Sequence, residues 1–140
     1  MIQRLHISTS TPDSPFTLAL ERHLESHNIT LLESAAQAQY SLKIIKEKST
    51  QRTATLTASA RISERLLNNQ VWYLVLNQDG TVALEQTLAN VERIFEYNED
   101  NVLGTDDEAE IIQAEMYQDL ARQISNRLRQ LQPATHAPAP

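Results

Sequence analysis

The sequence predicts an α+β fold: a mostly antiparallel four-stranded twisted sheet with two helices packed on one face, in the order strand-helix-strand-strand-strand-helix. Three observations carry this. A threonine-rich stretch from Tyr40 to Ser59 alternates with the period of a half-buried strand. Asp79-Gly80 sits between two β-prone runs, the short-range signature of a hairpin. Ile112, Met116, Leu120, Ile124 and Leu128 recur every four residues and describe one face of a long final helix.

Each element has a local cause. Ile2, Leu5 and Ile7 mark a short first strand. The turn-rich STSTPDSP leads to Ser14, a good helix cap, with Pro15 at the first helical position, where its missing N–H costs nothing. The helix that follows presents Phe16, Leu20, Leu24 and His27 on one side and is expected to stop at Asn28. ITLLES reads as a short extended piece. In the long strand, Leu42, Ile44, Ala54, Leu56 and Ala58 share one parity; Lys43, Glu47, Ser49, Gln51, Thr53, Thr55, Thr57 and Ser59 take the other, and Ile45 is the exception. A turn is expected over residues 60–64. VWYLVL is strongly β-prone, and the partner strand over 81–97 breaks parity between Glu85 and Leu88, which suggests a bulge. Thr105 or Asp106 is expected to cap the last helix, with Asp106, Asp107 and Glu108 in its first turn, Arg122, Arg127 and Arg129 towards its end, and Val102 and Leu103 pinning the preceding turn to the core. Both helices then cover one face of the sheet and leave the other to solvent or a partner.

The chain has 140 residues, which suits one domain over 1–131 followed by a disordered Pro/Ala tail over 132–140. A net charge of −6 argues against nucleic acid. The absence of cysteine removes disulfides, thiolate metal sites and cysteine nucleophiles. Two glycines cannot build a phosphate loop or a nucleophile elbow. MIQRLHIST has no apolar core of a signal peptide, and a start at Met1 fits replacement of a removed leader. No stretch reaches the ~18 apolar residues that span a bilayer.

FEYNEDNVLGTDDE is the densest acidic and amide run. Placing Gly104 at the sixth position of a calcium loop sets Glu99, Asn101 and Leu103 at the ligand positions and Glu110 at the twelfth, and leucine cannot ligate. A polar turn is the better reading. His23 and His27 share a helix face, but the zinc-protease pattern needs glutamate directly after the first histidine, where Leu24 stands. No metal and no cofactor are therefore expected. Lys46, Lys48 and Arg52 form a basic edge, with Arg61 and Arg65 flanking the next turn. Such charges guard strand edges or contact an anion. Trp72 and Tyr73 read as core or sheet-face residues.

From Asp79 to Leu131 the order of motifs resembles the LPS-assembly lipoprotein LptE family. An aromatic strand end (Phe95-Glu96-Tyr97) runs into the acidic and amide turn Asn98-Glu99-Asp100-Asn101, then Val102-Leu103-Gly104, then the acidic run Asp106-Asp107-Glu108-Ala109-Glu110. The long helix passes Glu115-Met116 and Arg122-Gln123-Ile124 to end at Arg127-Leu128. Upstream, Ala38-Gln39-Tyr40-Ser41-Leu42-Lys43-Ile44 is similar to the start of that family's long second strand. The resemblance implies a non-enzymatic protein on the periplasmic side of the outer membrane. Such proteins hang from an N-terminal lipidated cysteine, plug and help fold an LptD-type β-barrel, and contact lipopolysaccharide. This chain has no cysteine, so the lipid anchor is expected in a segment absent from it. Of the family's basic contacts, one falls where Thr105 stands beside acids and does not carry over. The other falls near Arg61 and Arg65, so Arg61, Arg65 and Lys48 are the lipopolysaccharide candidates. The alternatives are a periplasmic transport-auxiliary lipoprotein and a small metal-dependent hydrolase using His23 and His27.

Overall fold

A computed structural model describes residues 2–56 and 62–131. It contains β1 (Arg4–Ser8), α1 (Pro15–Ser26), β2 (Thr30–Leu31), β3 (Tyr40–Leu56), β4 (Ile62–Asn77), β5 (Val82–Asn98) and α2 (Val102–Arg129). The strands form one sheet in the order β2-β1-β3-β4-β5. β1 runs parallel to β2 and β3, and β3, β4 and β5 are antiparallel neighbours. The α+β class and the two helices are as the sequence predicts, but the sheet has five strands rather than four. The extra one is the ITLLES piece: as the chain returns from α1, Thr30 N–H donates to Gln3 C=O at 2.7 Å and Leu32 N–H to Leu5 C=O at 2.9 Å. The expected strand residues 57–59, residues 60 and 61 of the expected turn and the tail over 132–140 lie outside the described residues, while residues 62–64 of that turn already belong to β4.

Bulges decide which side chains face the helices. Ile44 opposes Tyr73 while Lys46 opposes Trp72, so Ile45 is an extra residue on β3. That explains its exceptional parity, and it reverses the pattern beyond it. Glu47, Ser49 and Gln51 oppose Val71, Asn69 and Leu67, which are buried under the helices. Lys46, Lys48, Thr50 and Arg52 therefore stand on the helix-free side. The single alternation expected for the whole strand is corrected accordingly. A second bulge at Ala54 returns Thr55 to the helix-free side, opposite Glu64. On β5 the expected bulge is present: Thr87 opposes Tyr73 and Leu84 opposes Val75, leaving Glu85 and Gln86 opposite Leu74.

Both helices start on side-chain caps. Ser14 Oγ accepts Thr17 N–H at 3.1 Å and donates to Glu47 Oε2 at 2.8 Å, tying the cap to β3. Asn28 ends the α1 region with φ 64°, a conformation asparagine tolerates better than most residues. For α2 the cap is Asn101, not Thr105 or Asp106: Asn101 Oδ1 accepts Gly104 N–H at 3.3 Å. A Cβ on Gly104 would lie 2.5 Å from the Asn101 amide nitrogen, so the glycine makes room for this cap. The helix starts one turn early and spans 28 residues, ~42 Å. Asp106, Asp107 and Glu108 fall in its second turn, and Thr105 is buried, its hydroxyl accepting Asn98 N–H at 3.3 Å. Val102 and Leu103 do not reach the core; Leu103 is 81% exposed.

The core lies between the helix layer and one sheet face. Phe16, Leu20 and Leu24 of α1 and Met116, Leu120, Ile124 and Leu128 of α2 meet Leu42, Val71, Tyr73, Val75, Ala89, Val91 and Phe95. One polar pair crosses this interface. Asn69, 2% exposed, donates to Gln113 Oε1 at 3.1 Å and accepts from Gln113 Nε2 at 2.9 Å. Ser49 Oγ and Tyr117 Oη lie 3.0 and 2.8 Å from the same nitrogen. Arg93 of β5 pairs with Asp119 of α2 at the margin.

Leu120→Ala should destabilise the fold by about 2–5 kcal/mol in denaturant unfolding, whereas Leu103→Ala should stay within about 0.5 kcal/mol. Gln113→Ala removes both amide partners of the buried Asn69, leaving its Nδ2 only the Met116 sulfur at 3.4 Å, and should cost about 1–3 kcal/mol. A cycle with Asn69→Ala should reveal coupling, because the two amides satisfy each other.

Candidate functional site

With α1 and α2 on one side, the opposite face of β3, β4 and β5 carries no covering layer among the described residues. Register sets its composition. Lys43, Lys46, Lys48 and Arg52 make a cationic row along β3. The middle strand offers Leu66, Asn68, Gln70, Trp72 and Leu74, and β5 adds Leu88, Asn90, Glu92, Ile94 and Glu96. Trp72 pairs with Leu88, and Leu66 with Ile94, so two apolar steps alternate with amides. Ile94 is 57% exposed. Asn68 Nδ2 donates to Asn90 Oδ1 at 2.8 Å, and Lys46 Nζ lies 5.5 Å from the centroid of Trp72. None of the four cations forms an ion pair among the described residues. The outer margin of β5 is an unpaired sheet edge.

The three residues expected to meet lipopolysaccharide are placed differently from one another. Arg61 lies outside the described residues. Arg65 opposes both Thr53 and the buried Phe95, on the helix side of the sheet; its guanidinium sits 4.3 Å from the centroid of Tyr97, and its Nε is buried without a hydrogen-bond partner. Lys48 is exposed on the opposite face, against Gln70. Five residues of β4, ~17 Å, separate Gln70 from Arg65. Lys48 thus belongs to the row with Lys46 and Arg52, and Arg65 to the end of the sheet near the β3–β4 connection. Trp72 lies on the open face and Tyr73 in the core, as expected.

His23 and His27 do face each other on α1, with ring centroids 4.5 Å apart. No cluster of three histidine, cysteine or carboxylate ligands occurs among the described residues. Instead the helices, which run side by side in the same direction, bring Arg22 and His23 against Gln118 and Arg122 around a cleft of about 410 Å³. His23 Nε2 is buried there without a hydrogen-bond partner. Burial holds the His23 pKa below the ordinary imidazole value, and the positive fields of His27, Arg129 and Arg122 push it the same way. The sequence shows Arg22 beside His23 and Gln118 four residues before Arg122. Nothing in either segment announces that the two helices align in parallel. No helix among the described residues is long and apolar enough to cross a membrane.

The comparisons with known proteins agree with this architecture. Residues 2–128 match the family model described as LptE, lipopolysaccharide-assembly. The LPS-assembly lipoprotein LptE of Photorhabdus laumondii is 29% identical over 127 residues, which cover 91% of this chain and 69% of that protein. The protein of the same name from Yersinia pestis is 25% identical over 130 residues, 91% of this chain and 61% of its own length. The chain thus spans roughly two thirds of the length of the curated relatives it matches. Among solved structures, a minor lipoprotein from Acinetobacter baumannii superposes with a TM-score of 0.75 at 18% identity, covering 96% of this chain and 97% of that one. A lipoprotein B from Nitrosomonas europaea gives 0.77 at 20% identity, covering 89% and 80%. These two likenesses establish the fold. With the family model running from the first strand to the last turn of α2, the chain belongs to the LptE lipopolysaccharide-assembly family.

Proposed function

We propose that residues 1–131 form a single non-enzymatic domain that plugs and scaffolds an LptD-type outer-membrane β-barrel during lipopolysaccharide transport to the cell surface. The observation that supports this reading is the uncovered sheet face. An inserted domain must present to a polar barrel lumen a surface that is hydrogen-bonding but not uniformly charged. The amides Asn68, Gln70 and Asn90, bounded by Trp72–Leu88 and Leu66–Ile94 and flanked by cations that form no ion pair among the described residues, have that character. Family membership supports an association with the outer membrane; on this reading the domain stands on its periplasmic side, held there by an N-terminal lipid anchor. The rival reading, an auxiliary lipoprotein of an inner-membrane transporter, shares the fold and differs in the partner.

Direct lipopolysaccharide contact is part of the proposal. Arg61 and Arg65, near the β3–β4 connection, would meet the phosphate-bearing part of the lipid, with Lys48 as a separate contact on the open face. Arginine pairs with phosphate bidentately, so each of the two can supply more than a point charge.

A photocrosslinking residue at Gln70 or Asn90 should capture the barrel protein when both are expressed together, and one at Glu115 on the outer side of α2 should do so less. Capture of inner-membrane transporter subunits alone would overturn the plug reading. Arg61→Ala combined with Arg65→Ala should weaken lipopolysaccharide binding by about tenfold while circular dichroism stays native. Lys48→Ala should weaken it less. Undiminished binding by the double variant would remove those arginines from the contact.

A further inference from the structure

The cleft between α1 and α2 carries a second chemistry, on the layer opposite the open sheet face. Its walls are Ala19, Arg22 and His23 from α1 and Gln118 and Arg122 from α2. Every polar side chain among them can donate a hydrogen bond, and none is a carboxylate. Asp119, the acid next to this wall, is already engaged: Arg122 donates to its Oδ1 at 2.7 Å, and Arg93 of β5 pairs with its other oxygen. That contact fixes Arg122 at the rim and uses one of its nitrogens. His27 and Arg129 add positive field from the ends of the two helices. In a chain of net charge −6, these like charges gather around a space with nothing negative in it. The C-terminal carbonyls of α1 offset part of the repulsion, but they do not supply a partner for the buried His23 Nε2.

We propose that this cleft binds a tetrahedral oxyanion of the phosphate class, with Arg22 and Arg122 as its donors and the His23 ring in its wall. The two guanidinium groups approach from different helices, so the anion bridges α1 and α2. The imidazole contributes as a cation, and Gln118 adds a neutral donor. A free phosphate ion and the phosphomonoester headgroup of a lipid present the same oxygens. This inference does not depend on the barrel partnership, because the cleft and the open face lie on opposite layers.

The sign of the proton linkage follows. Without an anion, burial and then His27, Arg129 and Arg122 hold His23 neutral below the usual imidazole range. An oxyanion in the cleft favours the imidazolium, so the His23 pKa must rise on binding. The test is an NMR titration of the His23 and His27 ring Cε1–H signals in the full chain at constant ionic strength. Sulfate serves for the pH series, since it keeps its charge throughout, and inorganic phosphate for saturation at pH 7. The expected result is a His23 pKa raised by about one unit, equivalent to about tenfold tighter binding to the protonated form. Arg22→Ala should weaken saturation, and Arg22→Ala with Arg122→Ala should abolish it. Arg22→Ala alone keeps the test valid if loss of the Arg122–Asp119 pair disturbs the fold. Flotation with phosphatidic acid vesicles, against phosphatidylcholine vesicles, separates the sources. Binding lost in the Arg22 variant identifies a lipid headgroup, whereas a response to the free ions alone identifies free phosphate. A His23 signal that ignores sulfate and phosphate, together with vesicle binding indifferent to the arginines, would overturn the proposal.

Discussion

The buried stripe of α2 is the constraint on which the rest of the molecule depends. Met116, Leu120, Ile124 and Leu128 lose all but a trace of their exposure, and each large apolar side chain so buried contributes roughly 1.5–3 kcal/mol gross. A helix of this length can bury such a stripe only along something comparably long, and the antiparallel ribbon of β4 and β5, with strands of 16 and 17 residues, offers it. Once α2 lies there, α1 fills the remaining width above β1 and β3. The reciprocal amide pair between Asn69 and Gln113 then fixes how far α2 can slide, since a shift of one helical turn would take Gln113 away from the buried Asn69 amide. Among the described residues both helices lie on one face and none covers the other.

Much of this was legible in the sequence because it rests on local chemistry. Ser14-Pro15, Asn28 and Asp79-Gly80 act within a few residues of themselves and behave as read; Gly80 takes φ 90° in its turn. The four-residue period of α2 was also secure. The start of α2 was misplaced because two caps competed. Thr105 and the acids beside it look like a start, but Asn101 stands next to a glycine that admits its side chain, and it nucleates the helix a turn earlier. ITLLES reads as an extended piece but not as a sheet strand, because two residues carry no period; only their hydrogen bonds to β1 define them as β2.

The faces of β3 were harder to read, for a reason that bears on function. Alternation assigns sides only while the register is unbroken, and Ile45 breaks it. The anomaly at Ile45 was visible in the sequence, yet its effect is non-local: it sends Lys46, Lys48 and Arg52 to the open side and Glu47 to the cap of α1. Arg65 beside the turn and Lys48 on the basic edge are both lipid candidates in the sequence, and pairing places them on opposite sides of the sheet. The helix cleft lay beyond such reasoning, because its walls come from segments about a hundred residues apart and meet only through packing.

The layering also constrains how the two surfaces can influence each other. A ligand at one site changes affinity at the other only if it favours a different arrangement of something they share. The two surfaces share the interface between α2 and the sheet, where the large side chains are close-packed and the Asn69–Gln113 pair is satisfied. Close-packed interfaces of this kind resist small continuous shifts. A partner on the open face and an anion between the helices should therefore bind with nearly additive free energies, so that variants at Gln70 and Arg22 report on separate events. Strong coupling between them would require α2 to move on the sheet, and the first contact to break would be the amide pair.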